Sequence, residues 1–329
     1  MQFICNPRVR FLLRCVAGWW WLTVTLPQAA EPGDAATPRA QPLRVLTSIS
    51  PIYSWTAAVA GGRATVENLL PADTGPHDFQ FRPRDLKRLE SADLILMNGL
   101  GLEHWLQRTL DADAKRRAIP RAEVSAGWPA SALIHDLPSL SKPAQSVKAH
   151  DHDHDHDHDS GPNPHLWLDP VFARHAVTNI LHALETADPS NAAAYRTNAA
   201  AYLERLTQLD TALRDATREW AGRPVVTFHD AFPYFCRRYS LDLVGVVEEI
   251  PGNSPSPRHL AALMKVIRER KVRVIFTETQ FNPRLARQLA ADLSIPVAEL
   301  EVLETGPLTP TAYEDGMRRN LDTLRKALR

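Results

Sequence analysis

The chain has 329 residues, 44% hydrophobic and 23% charged, with 38 basic residues against 38 acidic ones. This length makes two domains the default and allows a sizeable core, while the ordinary composition excludes a disordered or fibrous chain. A net charge of zero excludes the basic excess of a nucleic-acid binder.

Residues 1–30 carry Arg8, Arg10 and Arg14 and no acid; the apolar run Cys15 to Leu26 follows, and Ala29 and Ala30 close the segment. A positive start, a short apolar middle and a small-residue end make a secretory signal peptide, and sixteen residues between Arg14 and Glu31 are few for a membrane span. Its removal leaves 35 basic residues against 38 acidic ones. Of Cys5, Cys15 and Cys236, only Cys236 then remains. No internal disulfide is possible, and Cys236, set in F-P-Y-F-C-R-R-Y, reads as a buried small apolar side chain.

Residues 31–42 are rich in Pro, Ala and Gly and read as a flexible start. Strands are predicted at 43–49, 65–70 and 94–99, with helices near 52–61 and over 82–93, where Pro83 suits a first turn. Strands alternating with helices indicate a parallel sheet. Residues 136–164 break the pattern with four prolines and the alternating run of His150, His152, His154, His156 and His158 with Asp151 to Asp159; they read as a loop. The longest helical pattern spans 190–221, with Ser190 as N-cap, Tyr195, Tyr202, Leu206, Leu209, Leu213 and Ala216 at helical spacing, and Gly222 as the stop. Strands resume at 224–228, 242–247, 272–277 and 296–300, separated by helical sequence such as 259–270. The expected organisation is a lobe over 43–189, a linking helix over 190–221 and a lobe over 222–329.

The chemistry lies in the histidines. Neutral imidazole suits zinc, copper and nickel, and interleaved aspartates attract any dication, so the tract is expected to hold several weak, fast-exchanging sites. Three more histidines sit in defined places: His77 in G-P-H-D-F after the strand at 65–70, His165 in N-P-H-L-W-L-D-P, and His229 immediately past the strand at 224–228. Ligands of open α/β sheets gather outside the carboxyl ends of the strands. Glu301, after the strand at 296–300, offers a carboxylate at another such end, although spacing alone leaves Glu299 and Glu304 open. Three imidazoles and one carboxylate fit a tetrahedral zinc site.

The motifs G-P-H-D-F-Q-F-R-P-R-D-L, S-A-D-L-I-L-M-N-G-L-G-L-E-H-W-L, N-P-H-L-W-L-D-P, F-H-D-A-F-P-Y-F and V-I-F-T-E-T-Q-F resemble the zinc-binding solute-binding proteins of bacterial ABC importers, over about 43–325. The resemblance implies two parallel-sheet α/β lobes joined by one long rigid helix, with metal in the interlobe cleft. It implies His77, His165 and His229 as ligands of transported Zn2+, 150–158 as the auxiliary His-rich loop, and His229 in place of the glutamate of manganese-type members. It also implies a monomer in the periplasm that delivers zinc to an ABC permease in the inner membrane. Two positions depart from the family: L-E-V-L (300–303) stands where L-D-P-L is usual, and Ser254 where Glu is commoner. A periplasmic zinc buffer or chaperone, and a zinc hydrolase, are the competing readings. Against the hydrolase, the chain has neither an H-E-x-x-H helix nor a G-x-S-x-G elbow, and Asp78 and Asp230, which a hydrolase would need as bases, more simply cap or orient their loops.

Overall fold

Residues 41–77, 79–135, 161–248, 252–280 and 282–329 are described by the structure, a computed structural model. The expectations for the signal segment, the His-Asp tract and Asp78 lie outside the described residues.

The first half runs β1 (Leu43–Thr47), α1 (Ser50–Ala60), β2 (Ala64–Asn68), α2 (Pro83–Glu90), β3 (Leu94–Met97), α3 (His104–Asp111), α4 (Ala114–Arg117) and β4 (Arg121–Glu123). Its four strands are all parallel, in the order β2-β1-β3-β4. Every residue of Leu-Ile-Leu-Met in β3 is buried, as a central parallel strand covered on both faces requires. Helix α2 starts at Pro83, and the Asp85 carboxylate accepts the Arg82 backbone N–H at 3.0 Å. Strand β4, with only three residues and no apolar run, is not among the predicted strands; pairing of Ile95 with Arg121 defines it.

Two helices follow. The first, α5 (Pro170–Ala187), was also not anticipated, although Phe172, Ala173, Ala176, Val177, Ile180 and Leu184 are buried at helical spacing. The second, α6 (Ala192–Thr217), is the long helix joining the halves; its 26 residues span about 39 Å. The ends of the predicted 190–221 segment tighten into 3₁₀ turns at Pro189–Asn191 and Arg218–Trp220. Asp188 rather than Ser190 organises the start, accepting Asn191 Nδ2 and the Tyr195 hydroxyl, each at 2.7 Å. Gly222, at φ 75°, stops the segment.

The second half comprises β5 (Pro224–Thr227), α7 (Pro233–Arg238), β6 (Asp242–Val246), α8 (Pro257–Arg270), β7 (Ile275–Glu278), α9 (Arg284–Leu293), β8 (Val297–Leu300) and α10 (Ala312–Ala327). Its parallel sheet has the order β6-β5-β7-β8 and so repeats the topology of the first. The two lobes share much of their interior. One apolar cluster runs from Leu43 to Leu328, and a smaller one, including Val226, Leu263, Ile267 and Ile275, serves the second sheet. Helix α10 packs on α1, where Tyr313 N–H donates to Ser54 Oγ at 3.2 Å and the Trp55 and Tyr313 rings meet edge to face at 5.2 Å. Moving the lobes apart would expose this shared apolar surface, which opposes a wide hinge. Cys236 is buried, and burial pushes its thiol far up. Among the described residues no helix is long and apolar enough to cross a membrane.

Candidate metal centre

Each sheet reverses its strand order beside its first strand, so the loops leaving β5 and β7 diverge and open a crevice. His229 stands just past β5, and Glu278 ends β7. The buried Glu278 carboxylate accepts the His229 backbone N–H at 3.1 Å and, through its other oxygen, the Nδ1–H of the ring. A carboxylate only accepts, so Nδ1 carries a proton, and once the ring gives up any second proton the lone pair of Nε2 faces the crevice.

His165 is prepared in the same way. Asn163 Oδ1 accepts the His165 backbone N–H at 3.0 Å and Nδ1–H at 2.9 Å, while Asn163 Nδ2 donates to the Asp230 carbonyl at 2.6 Å. One buried amide therefore orients His165 and ties its segment to the residue after His229. Behind it, buried Glu103 accepts Ser48 Oγ at 2.6 Å, Asn98 N–H at 2.7 Å and Gly99 N–H at 3.1 Å. Asn98 Nδ2 in turn donates to the Pro164 carbonyl at 3.0 Å. Burial pushes Glu103 up to about 7 against the pull of these three donors.

His77 comes from the loop between β2 and α2, and it is exposed at the mouth. Phe79, Phe81 and Trp105 pack their rings at 4.7–5.5 Å, and Trp105 Nε1 donates to the Pro76 carbonyl at 3.1 Å, pinning that loop to α3.

The three Nε2 atoms converge: His77 to His165 is 3.4 Å, and His229 to His165 is 3.3 Å. Two nitrogens each about 2.05 Å from a tetrahedral zinc lie about 3.3 Å apart, so these spacings match edges of its coordination tetrahedron. Among the described residues this is the one group of three His, Cys, Asp or Glu side chains whose ligand atoms all lie within 4.8 Å of one another. Burial, and then the facing His229, draws His77 down to about 4, although its exposure at the mouth moderates that effect. Burial likewise takes His165 well below the usual histidine range. At His229 burial also acts downward, but the charge and hydrogen bond of Glu278, helped by Glu304 and Asp230, outweigh it and raise the pKa. A site with two neutral imidazoles and a third backed by carboxylates suits a dication.

Glu301 does not join the triad. Both of its oxygens are held by Arg319, Oε2 accepting Nη2 at 2.8 Å. The reason is a backbone turn: Leu303 adopts φ 68°, in the left-handed region, so the chain bends between Glu301 and Glu304. Glu304 is buried, accepts Gln280 Nε2 at 2.8 Å, and reaches the His77 loop, where a Cβ on Gly75 would lie 3.1 Å from Glu304 Oε1. Glu304, which the sequence spacing leaves open, joins Glu278 and Asp230 as the buried carboxylates that act on His229. Ser254 lies in the loop before α8, and Glu299 within β8.

Two similar parallel-sheet lobes on a shared core, joined by one long helix and presenting convergent imidazoles, define a solute-binding protein built for a metal ion. The model of the family described as "Zinc-uptake complex component A periplasmic" matches residues 45–327, and the chain belongs to that family. It is therefore a zinc-binding component of zinc uptake by an ABC transporter and not an enzyme, as the sequence resemblance implied. It is 29% identical over 319 residues to the high-affinity zinc uptake system protein ZnuA of Bacillus subtilis (strain 168), covering 95% of this chain and 96% of the relative. It is 28% identical over 294 residues to the zinc-binding protein AdcA of Streptococcus pyogenes, covering 86% of this chain but only 55% of that longer relative. Among solved structures, the solute-binding protein FpvC of P. aeruginosa in complex with Ni2+ superposes with a TM-score of 0.73 at 28% identity, covering 87% of this chain and 97% of the other.

Proposed function

We propose that His77, His165 and His229 are the zinc ligands, that Glu304 completes the site, and that the loaded monomer delivers zinc from the periplasm to the permease of an ABC importer. The observation that carries this reading is that His165 Nε2 lies 3.4 Å from His77 Nε2 and 3.3 Å from His229 Nε2, with Nδ1 of two rings fixed from behind. Secretion would follow from the signal segment at 1–30, and the division 43–189, 190–221 and 222–329 describes the two lobes and their link. The histidines of 150–158 serve as an auxiliary collector of weakly held zinc. Shared interior packing favours local movement of the ligand loops over a wide opening of the lobes.

The test is a competition titration of the mature protein with a zinc-sensing chelator. One tight equivalent is expected, and His229→Ala should weaken it by orders of magnitude, since one of three strong ligands is lost. Unchanged tight affinity in that variant would refute the ligand assignment. Zinc-limited growth that needs both this chain and an adjacent permease would support delivery, and growth independent of the permease would point to a buffer.

A further inference from the structure

The segment carrying His165 is held from the other lobe by a residue outside the ligand set. Tyr234, in α7, is fully buried, and its hydroxyl accepts the Ile134 backbone N–H at 3.0 Å and donates to the Asn163 carbonyl at 2.8 Å. Asn163 N–H donates to the Ile134 carbonyl at 2.7 Å, and His135 pairs with Pro162 as an antiparallel bridge. Ile134–His135 and Pro162–Asn163 therefore form a short two-stranded neck whose hydrogen bonds end on the Tyr234 hydroxyl. Arg237, one turn along α7, lies over the Tyr234 ring at 5.3 Å and donates Nη2 to the Ala132 carbonyl at 2.6 Å. The neck continues within two residues to His165, and α7 follows His229 by only a few residues.

Resting on the zinc-site reading above, we propose that Tyr234, assisted by Arg237, is a clasp between the lobes that holds the His165 segment at ligand distance from His229, and thereby sets how long captured metal stays. Among the described residues the hydroxyl bonds Ile134 and Asn163 rather than a ligand imidazole, so its role is in holding the segment and not in the ion's entry. Its removal leaves all three ligands and both rear partners, Asn163 and Glu278, in place. What changes is the restraint on the His165 segment, and loss of preorganisation acts chiefly on dissociation. Tyr234 is thus a positioning residue, one step further from the metal than Asn163.

The experiment measures zinc association and dissociation at the single tight equivalent by stopped-flow with a chelating dye. It compares the mature protein with its Tyr234→Phe, Arg237→Ala, Tyr239→Phe and His229→Ala variants. Tyr239 is the control: it is a buried tyrosine in the same lobe whose hydroxyl donates to Asp210 at 3.1 Å, away from the neck. Tyr234→Phe is expected to speed dissociation about tenfold, the lower end of the effect of removing a ligand's supporting partner. Arg237→Ala should act in the same direction but less, with association unchanged in both and Tyr239→Phe releasing at the wild-type rate. Wild-type dissociation in both Tyr234→Phe and Arg237→Ala would overturn the clasp. So would slower association with unchanged dissociation, or equal acceleration by Tyr239→Phe, which would mark general loosening. Absence of a tight equivalent in the wild-type protein, or its survival in His229→Ala, would instead refute the zinc-site reading and the clasp with it.

Discussion

Glu278 holds His229 from behind with both oxygens, one on the backbone N–H and one on Nδ1–H, and neither residue is more than 2% exposed. The pair fixes the ring's tautomer and places a negative charge one ring away from the incoming dication. Glu278→Gln preserves the shape but removes the charge. It should weaken the tight zinc equivalent about 10–100-fold while leaving the fold intact. Competition titration together with circular dichroism checks this, and full affinity in the variant would confine Glu278 to a structural role.

The two glutamates flanking Leu303 should separate cleanly. Glu301 is occupied by Arg319 near the surface, whereas Glu304 is buried between Gln280 and the His77 loop. Glu301→Gln should leave zinc affinity within about twofold, because an exposed ion pair contributes little. Glu304→Gln should weaken the tight equivalent at least tenfold, as loss of the proposed fourth group would. The reverse order in a titration would restore Glu301 as the fourth group.

Zinc capture at or just below pH 6.5 should release about one proton, from His229. His165 lies well below the usual histidine range and His77 near 4, so both rings are already neutral, while His229 is raised by Glu278 and holds its proton above pH 6.5. Affinity should therefore fall about tenfold per pH unit once the pH drops below the His229 pKa, and steepen only toward pH 4 as His77 protonates. For the metal-free protein the signs differ. The stabilisation from charged His229 is complete below pH 6.5 and is lost as pH rises through its folded pKa. Neutral His77 stabilises above pH 6.5, and that contribution is lost as pH falls toward 4. Calorimetry in buffers of different ionisation enthalpy counts the protons, and a count near zero or three would contradict the assignment.

How much of this was legible in the sequence depended on whether the signal was local. The alternation of apolar strands and helices gave both parallel sheets, and the long helix emerged from Tyr195, Tyr202, Leu206, Leu209 and Leu213. His77, His165 and His229 were legible as residues at strand ends or in a loop, and the structure brings their Nε2 atoms together. Glu304 was not singled out, because its direction depends on the left-handed turn at Leu303, a conformation that leucine rarely adopts and no pattern announces. Strand β4 was invisible because Arg-Ala-Glu carries no apolar alternation and exists through its hydrogen bonds to β3. Glu278 did carry a usable signal, a carboxylate ending a strand beside the crevice where the sheet reverses order.

The tract at 150–159 and the triad should behave as independent binders. The tract offers five histidines in a ten-residue run, and ordering that many residues around one ion costs about 1–2 kcal/mol per residue in backbone entropy alone, so its sites should be weak and quickly exchanging. The triad requires no comparable ordering, because Asn163 and Glu278 already fix two of its rings and Trp105 pins the loop of the third. The interleaved aspartates attract dications most strongly at low ionic strength, so any benefit of the tract should fade as salt rises. Deleting residues 150–159 should abolish the weaker zinc equivalents and leave the tight one unchanged in affinity, because none of its proposed ligands is removed. Growth should suffer only in the most zinc-poor medium, where local accumulation limits capture. A dye-competition titration of the deletion variant at two salt concentrations reads both effects, and disappearance of the tight equivalent along with the tract would mean that the tract supplies primary ligands.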